Sequence, residues 1–452
     1  MNRNITRIVA IAATLAMGTS LAACGGSSAD SSKGHVYFMN NKAEVVDQYK
    51  ELASMYTKKT GVQVDIQTGA AGTYDATMKS ELAKDNAPTM FNVAGFDQFA
   101  KYQKYVEPLQ DTDVFKLLND TGKAYSYTID GNSYTLPYAA EWYGIIYNKK
   151  IIKDYKTLKQ VAESIEQHKD DLGVDGAFAT PGLDTSDTYR FAAHMTRLPL
   201  YYEYRDANTT FSKTIKGTYL KNYKDMFDLQ LKTSPTEASM VSSKTYDDVT
   251  SEFALGQVAF YPNGVWAYSQ IKGNDVADED LGMLPYYMGI KGEEDCGPVG
   301  VYDASWAVNK NASEKDKKAT LDFIKWMITD NEAKKILSKD MGFSVPFTTF
   351  TDDYQPDNPL TEAARAYSND GKTEVRSFTI PDQQWQDDIA SALVEYTQGT
   401  GKWDKVQSAF VDGWTPNGTT TRNRWAPCRK RRSSTQRADA IRLVKKRLDT
   451  GR

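Results

Sequence analysis

Four carboxylates, Glu44, Asp97, Glu141 and Asp382, stand where predicted helices and strands begin or end. Two chemistries use carboxylates in such places. A glycosidase needs a pair flanking the scissile bond, one donating a proton and one acting as base or nucleophile. Plain recognition needs only ionised carboxylates, which accept strong hydrogen bonds from sugar hydroxyls. Other catalytic chemistry finds no motif: there is no Gly-x-Ser-x-Gly elbow, no His-Glu-x-x-His pair and no Walker loop. Of the three histidines, His35 lies near the amino-terminal tether, while His168 and His194 fall in predicted helices with no ligand-like neighbour four residues on. Neither a metal site nor a cofactor is expected.

The stretch that must position this chemistry is Ser133–Ile152. It follows an Asp130-Gly131 pair, a tight-hairpin signal because both central residues of a type I′ turn need positive φ. Pro137, Tyr138, Glu141, Trp142 and Tyr143 crowd rings and a carboxylate into a predicted strand that turns apolar at Ile145 and Ile146. Strand alternation puts Glu141 and Tyr143 on one face and Trp142 on the other. The composition suits a ligand-facing crossing between two lobes, although in a chain with 28 Tyr and 8 Trp an aromatic strand is also ordinary core.

Around it the chain has a β-α-β rhythm. His35–Met39 reads as a strand, Val45, Tyr49, Leu52 and Tyr56 recur at helical spacing, Gly61 ends that helix, and Val62, Val64 and Ile66 alternate as a strand parallel to the first. A second unit pairs a helix near 74–84 with a strand at Thr89–Val93 and a helix from Phe96, with Asp97 in the loop before Phe99. Thr157 and Ser313 are helix-capping signals. A strand at Gln257–Tyr261 should end in a Pro262-Asn263-Gly264 turn, with Trp266 directly after it. Trp306 lies in an apolar strand and is expected in the core. Met341–Phe347 reads as another crossing, and helices follow near 357–368 and 382–397, the latter carrying Trp385. No internal repeat is present.

The ends differ from the body. Arg3 and Arg7, an apolar run from Ile8 to Met17 and Leu21-Ala22-Ala23-Cys24 form a secretory signal with a lipobox, in which Cys24 becomes lipidated. The run is too short for a permanent transmembrane helix, which needs roughly 20 residues. A Gly- and Ser-rich tether follows. Residues 415–452 carry twelve Lys and Arg against two Asp, a net of +10, while the mature body without this tail stands at −16. The tail is expected to be a solvated, disordered appendage. The chain has three cysteines, so with Cys24 lipidated only Cys296 and Cys428 remain to pair, and the fold does not depend on disulfides.

Taken together, the lipobox, Phe38-Met39-Asn40-Asn41-Lys42-Ala43-Glu44, Pro88-Thr89-Met90-Phe91, Leu136 to Lys149, Phe253 to Phe260 leading to Trp266, Gly300 to Asn311 and Gln384-Trp385 resemble the family 1 extracellular solute-binding proteins. These are the sugar-capturing lipoproteins of ABC importers, related to the maltose-binding protein. The resemblance covers about His35 to Trp414. It implies an α/β, two-lobed periplasmic-binding-protein-like fold of class II with three interlobe crossings. Lobe 1 would comprise 35–140 and 304–343, lobe 2 141–303 and 344–414, with 1–23 as signal, 24–34 as lipidated tether and 415–452 outside the family pattern. The resemblance implies ligand contacts from Asn41, Glu44, Asp97, Glu141 and Tyr143, with Trp266 and Trp385 as stacking platforms. The implied protein is not an enzyme. It is a monomeric receptor held at the cell surface by its lipid, closing on an oligosaccharide and delivering it to ABC-permease subunits, with no nucleic-acid partner. A secreted glycoside hydrolase or lyase using a carboxylate pair, or a binding module outside transport, is the competing reading.

Overall fold

Alternating apolar and polar residues make His35–Asn40 a strand buried along one face. The helix after it, Val46–Thr60, turns Tyr49, Leu52, Ala53 and Tyr56 onto that face. This is the local logic of the whole molecule, whose computed structural model describes residues 31–415 except 70–72, 153–156, 210–211, 303 and 377–379. The signal, Cys24, most of the tether, Cys428 and all but the first residue of the basic tail lie outside the described residues.

In chain order the strands are β1 (His35–Asn40), β2 (Gln63–Thr68), β3 (Met90–Ala94), β4 (Thr128–Ile129), β5 (Asn132–Ser133), β6 (Leu136–Pro137) and β7 (Glu141–Asn148). They continue as β8 (Gly176–Phe178), β9 (Val258–Gly264), β10 (Leu281–Leu284), β11 (Cys296–Val301), β12 (Ala304–Val308) and β13 (Thr373–Arg376). Apart from the β4–β5 hairpin, they build two sheets, each with its own core. The first runs β2-β1-β3-β12-β6, with β1 parallel to both β2 and β3 and β12 inserted antiparallel. The second runs β13-β11-β7-β9-β8, with β10 also paired to β7. Phe38, Tyr49, Trp306, Phe323 and Ile324 fill the first core, and Phe178, Phe191, Tyr223, Phe227, Phe260 and Phe410 the second. Trp306 is fully buried, its ring stacked on Tyr138 at 4.6 Å.

Three segments pass between the sheets, and they touch one another. β6 pairs with β12 and β7 with β11, so the first two crossings run side by side, tied by the Tyr138 N–H to the Ala304 carbonyl at 3.0 Å. The third meets the first where the Ala140 N–H donates to the Ser344 carbonyl at 2.8 Å. This third segment leaves later than Met341–Phe347 suggested. Phe343, Val345, Phe347 and Phe350 all pack in the first core, with Tyr354 against it, and the second sheet is reached only at Leu360 and Ala364. Four large apolar side chains keep it on the first lobe, because leaving earlier would expose them.

Two turn signals had different fates. Asp130 and Gly131 take φ of 49° and 83°, and the β4–β5 hairpin forms as predicted. Pro262-Asn263-Gly264 does not turn: β9 runs through it, paired with β7 from Tyr143 opposite Gly264 to Tyr147 opposite Phe260. The residues serve packing instead. A Cβ on Gly264 would lie 2.2 Å from the Trp266 ring, so glycine lets the indole rest on the strand.

Candidate functional site

β7 presents its two faces to different tasks. Trp142 points away from Glu141 and Tyr143, as alternation requires, and donates its indole N–H to Glu374 Oε2 at 2.8 Å. The same oxygen accepts the Tyr302 hydroxyl at 2.8 Å, and Tyr302 stacks on Tyr125 at 4.2 Å. Trp142 therefore belongs to the joint between lobes rather than to a ligand surface.

On the other face, Glu141 is 5% exposed and both its oxygens accept from Lys42 Nζ at 3.0 Å. Lys42 comes from the loop after β1 in the first lobe, and its ammonium also reaches Glu44 Oε1 at 3.3 Å. Burial opposes the lysine charge, but Glu141 and then Glu44 outweigh it and hold the pKa above the usual lysine range. One ammonium bridges the two carboxylates and offsets one of their two charges. It is not the arrangement of a glycosidase, which needs one carboxyl protonated. Lys42 lay inside the matched motif, yet sequence reasoning assigned it no role. Beside it the Asn41 N–H donates to Asn92 Oδ1 at 2.9 Å, while Asn41 Oδ1 is buried with no partner among the described residues.

The second lobe faces this polar end with rings. Burial, then the neighbouring Tyr261 and Tyr189, and after them the Glu44 carboxylate of the first lobe, raise the Tyr246 hydroxyl pKa. Tyr189 is 6.4 Å from Tyr246 by ring centroids, and its hydroxyl accepts the Trp266 indole N–H at 3.3 Å. Trp266 is half-buried, 6.5 Å from Tyr143 and 5.4 Å from His194. Tyr143 itself is fully buried; it stacks on His194 at 4.2 Å and donates its hydroxyl to the His194 carbonyl at 3.1 Å. It stands buried behind His194, whereas the sequence suggested direct ligand contact. Beneath lies a buried ion pair, Arg190 on Asp187, with Arg190 also donating to the Thr180 carbonyl at 2.9 Å and the Pro262 carbonyl at 3.2 Å.

The remaining candidates go elsewhere. Trp385 is 2% exposed, packed edge-on to Phe410 and Trp414, and donates its indole N–H to the Phe410 carbonyl at 3.0 Å. It is a core residue of the second lobe and not a platform, because the helix Trp403–Val411 lies over the face that a sugar would use. Asp382 caps the helix bearing it by accepting the Trp385 N–H at 3.3 Å. Asp97 lies within the helix Gly95–Tyr102, not in a loop before it, and its side chain is outside the described set. Among the described residues no group of His, Cys, Asp and Glu is placed to hold a metal ion, and no helix is long and apolar enough to cross a membrane.

Two lobes joined by three adjoining crossings thus carry these polar and aromatic groups. The chain belongs to the bacterial extracellular solute-binding protein family, whose model matches residues 51–366. It is 27% identical over 220 residues to the maltotriose-binding protein of Pyrococcus abyssi, a match spanning 47% of this chain and under half, 44%, of that protein. Identity to the multiple sugar-binding protein of Streptococcus mutans is 22% over 371 residues, 76% of this chain and 83% of the other. Among solved structures, a chitin oligosaccharide binding protein superposes with a TM-score of 0.67 at 19% identity, covering 84% of this chain and 97% of that one. RafE in complex with raffinose gives 0.63 at 18%, covering 83% and 97%. These structural likenesses establish the two-lobed α/β fold. The chain is thus a binding protein and not an enzyme.

Proposed function

We propose that this protein is a lipid-anchored, monomeric receptor that takes a neutral oligosaccharide into the cleft between its lobes and delivers it to the permease subunits of an ABC importer. One observation carries the reading: an ion-paired polar edge from the first lobe and the first crossing, Asn41, Lys42, Glu44 and Glu141, lies near a set of rings from the second, Tyr246, Tyr189 and Trp266. A pyranose has that duality, with apolar C–H faces that pack on rings and a fringe of hydroxyls that needs fixed polar partners. The unpartnered Asn41 Oδ1 is an acceptor suited to a sugar hydroxyl. The relatives with sugar-binding names favour the same ligand class.

The test is a thermal-shift screen with maltotriose, raffinose and chitin oligosaccharides. A sugar at ~100 times its Kd adds about 2.7 kcal/mol of stability. No shift with any of them, together with no binding by calorimetry, would remove the carbohydrate assignment. Anchoring is tested separately. Cys24→Ser should leave the protein unprocessed or release it into the medium, and a variant that still fractionates with membranes at mature size would disprove the lipid anchor.

A further inference from the structure

Histidine 194 lacks a sequence neighbour that would mark it for chemistry, yet it stands at the centre of the ring-lined edge. It sits in a short π-helical turn, Arg190–Met195, that runs into the helix Thr196–Asp206. Such turns are rare and are frequently found at functional sites, because the extra residue re-aims the side chains around it. Tyr143 covers one face of the imidazole at an interplanar angle of 8°. Tyr189 and Trp266 stand steeply against it at 84° and 61°, with centroids 5.0 and 5.4 Å away. The ring is held from below as well, since the Tyr143 hydroxyl donates to its own carbonyl.

The side chain is half-buried, and among the described residues neither ring nitrogen has a hydrogen-bond partner or is wholly enclosed without one. A fixed ring with open nitrogens, walled by aromatics, is a prepared polar contact. Of the charges nearby, Lys42 is paired with Glu141 and Glu44, and Arg190 with Asp187.

We infer that His194, lying over the buried Tyr143, is the second lobe's specificity-determining polar contact, and that it reads an uncharged sugar by giving one hydroxyl a donor and another an acceptor. The inference rests on the carbohydrate reading above and deepens it. Neutral imidazole is the form with one donor and one acceptor. Burial, then the charges of Arg197 and Arg190, lower the His194 pKa well below the ordinary value, which keeps the ring in that form at neutral pH.

Calorimetric titration of maltotriose, raffinose and chitotriose into the parent, His194→Phe and His194→Gln tests this. Phe keeps a ring over Tyr143 but removes both nitrogens, so binding of the preferred sugar should weaken about ten- to a hundredfold, the scale of a lost hydrogen-bonded pair. Gln, with a donor and an acceptor, should recover part of it. Melting of the empty variants should stay close to the parent. In parallel, sugar added to the 15N-labelled parent should shift the imidazole signals of His194 and leave those of His35 and His168 unmoved. If the parent binds a sugar, His194→Phe binds within about twofold of it and the His194 signals do not move, the inference is overturned while the carbohydrate reading stands. A His194→Phe variant that melts early but binds normally once folded likewise makes His194 a packing residue. If the parent binds none of the three sugars, the carbohydrate reading fails and takes this inference with it.

Discussion

Trp266→Ala is expected to weaken sugar binding ~30- to 1,000-fold while leaving the empty protein's Tm within a few degrees of the parent. The indole is half-buried, rests on Gly264 and meets the cleft beside His194 and Tyr189. Truncating it removes the apolar area that a sugar face would cover, at about 25 cal/mol per Å², which amounts to roughly 2 to 4 kcal/mol with the lost contacts included. Trp385→Ala should do the opposite. That ring is buried against Phe410 and Trp414, so its loss costs about 3 to 5 kcal/mol of fold stability and also strips the Phe410 carbonyl of its donor. Folded Trp385→Ala should bind sugar as the parent does. Calorimetry and thermal melts on both variants separate the roles: a Trp266→Ala protein that melts early and binds normally would move Trp266 into the core.

The second large effect is expected at Asp187. Its carboxylate and the Arg190 guanidinium are both buried, at 0% and 1% side-chain exposure. Burial opposes the Arg190 charge, but Asp187 outweighs it and lifts the guanidinium above its usual range, so the arginine stays charged. Asp187→Ala would leave this cation no anionic partner among the described residues, with the Thr180 and Pro262 carbonyls and the faces of Phe191 and Tyr261 around it. An unpaired buried charge costs about 3 to 5 kcal/mol, or roughly 6 to 20 °C in Tm for a lobe of this size. Arg190 also carries the π-helical turn that sets His194, so the damage should reach the cleft as weaker binding at temperatures where the variant is still folded. A melt unchanged from the parent would show that the arginine finds solvent or another partner when Asp187 is gone.

Local periodicity made most of the framework legible from sequence. The β1-helix-β2 unit, the Asp130-Gly131 hairpin, the caps at Thr157 and Ser313 and the opposed faces of β7 all follow from spacing within a few residues. Those rules are short-ranged, so the linear chain contains them. The lipobox-like run Leu21-Ala22-Ala23-Cys24, too, is read along the chain, as is the charge contrast between body and tail.

Which rings face the cleft is set by packing between parts of the chain far apart in sequence. Trp266 and Trp385 both looked like platforms, but a helix some twenty residues beyond Trp385 folds over its face, while Gly264 leaves Trp266 propped at the edge of β9. Pro262-Asn263-Gly264 has turn composition, yet pairing with β7 keeps it extended. Lys42 meets Glu141 across 99 residues and Tyr143 meets His194 across 51. Periodicity cannot encode such meetings, because they depend on how the sheets, the crossings and the π-helical turn come to rest against one another. Residue types and the order of the motifs pointed to a two-lobed solute-binding fold; the tertiary structure set Lys42 between Glu141 and Glu44 and stacked His194 on a buried Tyr143.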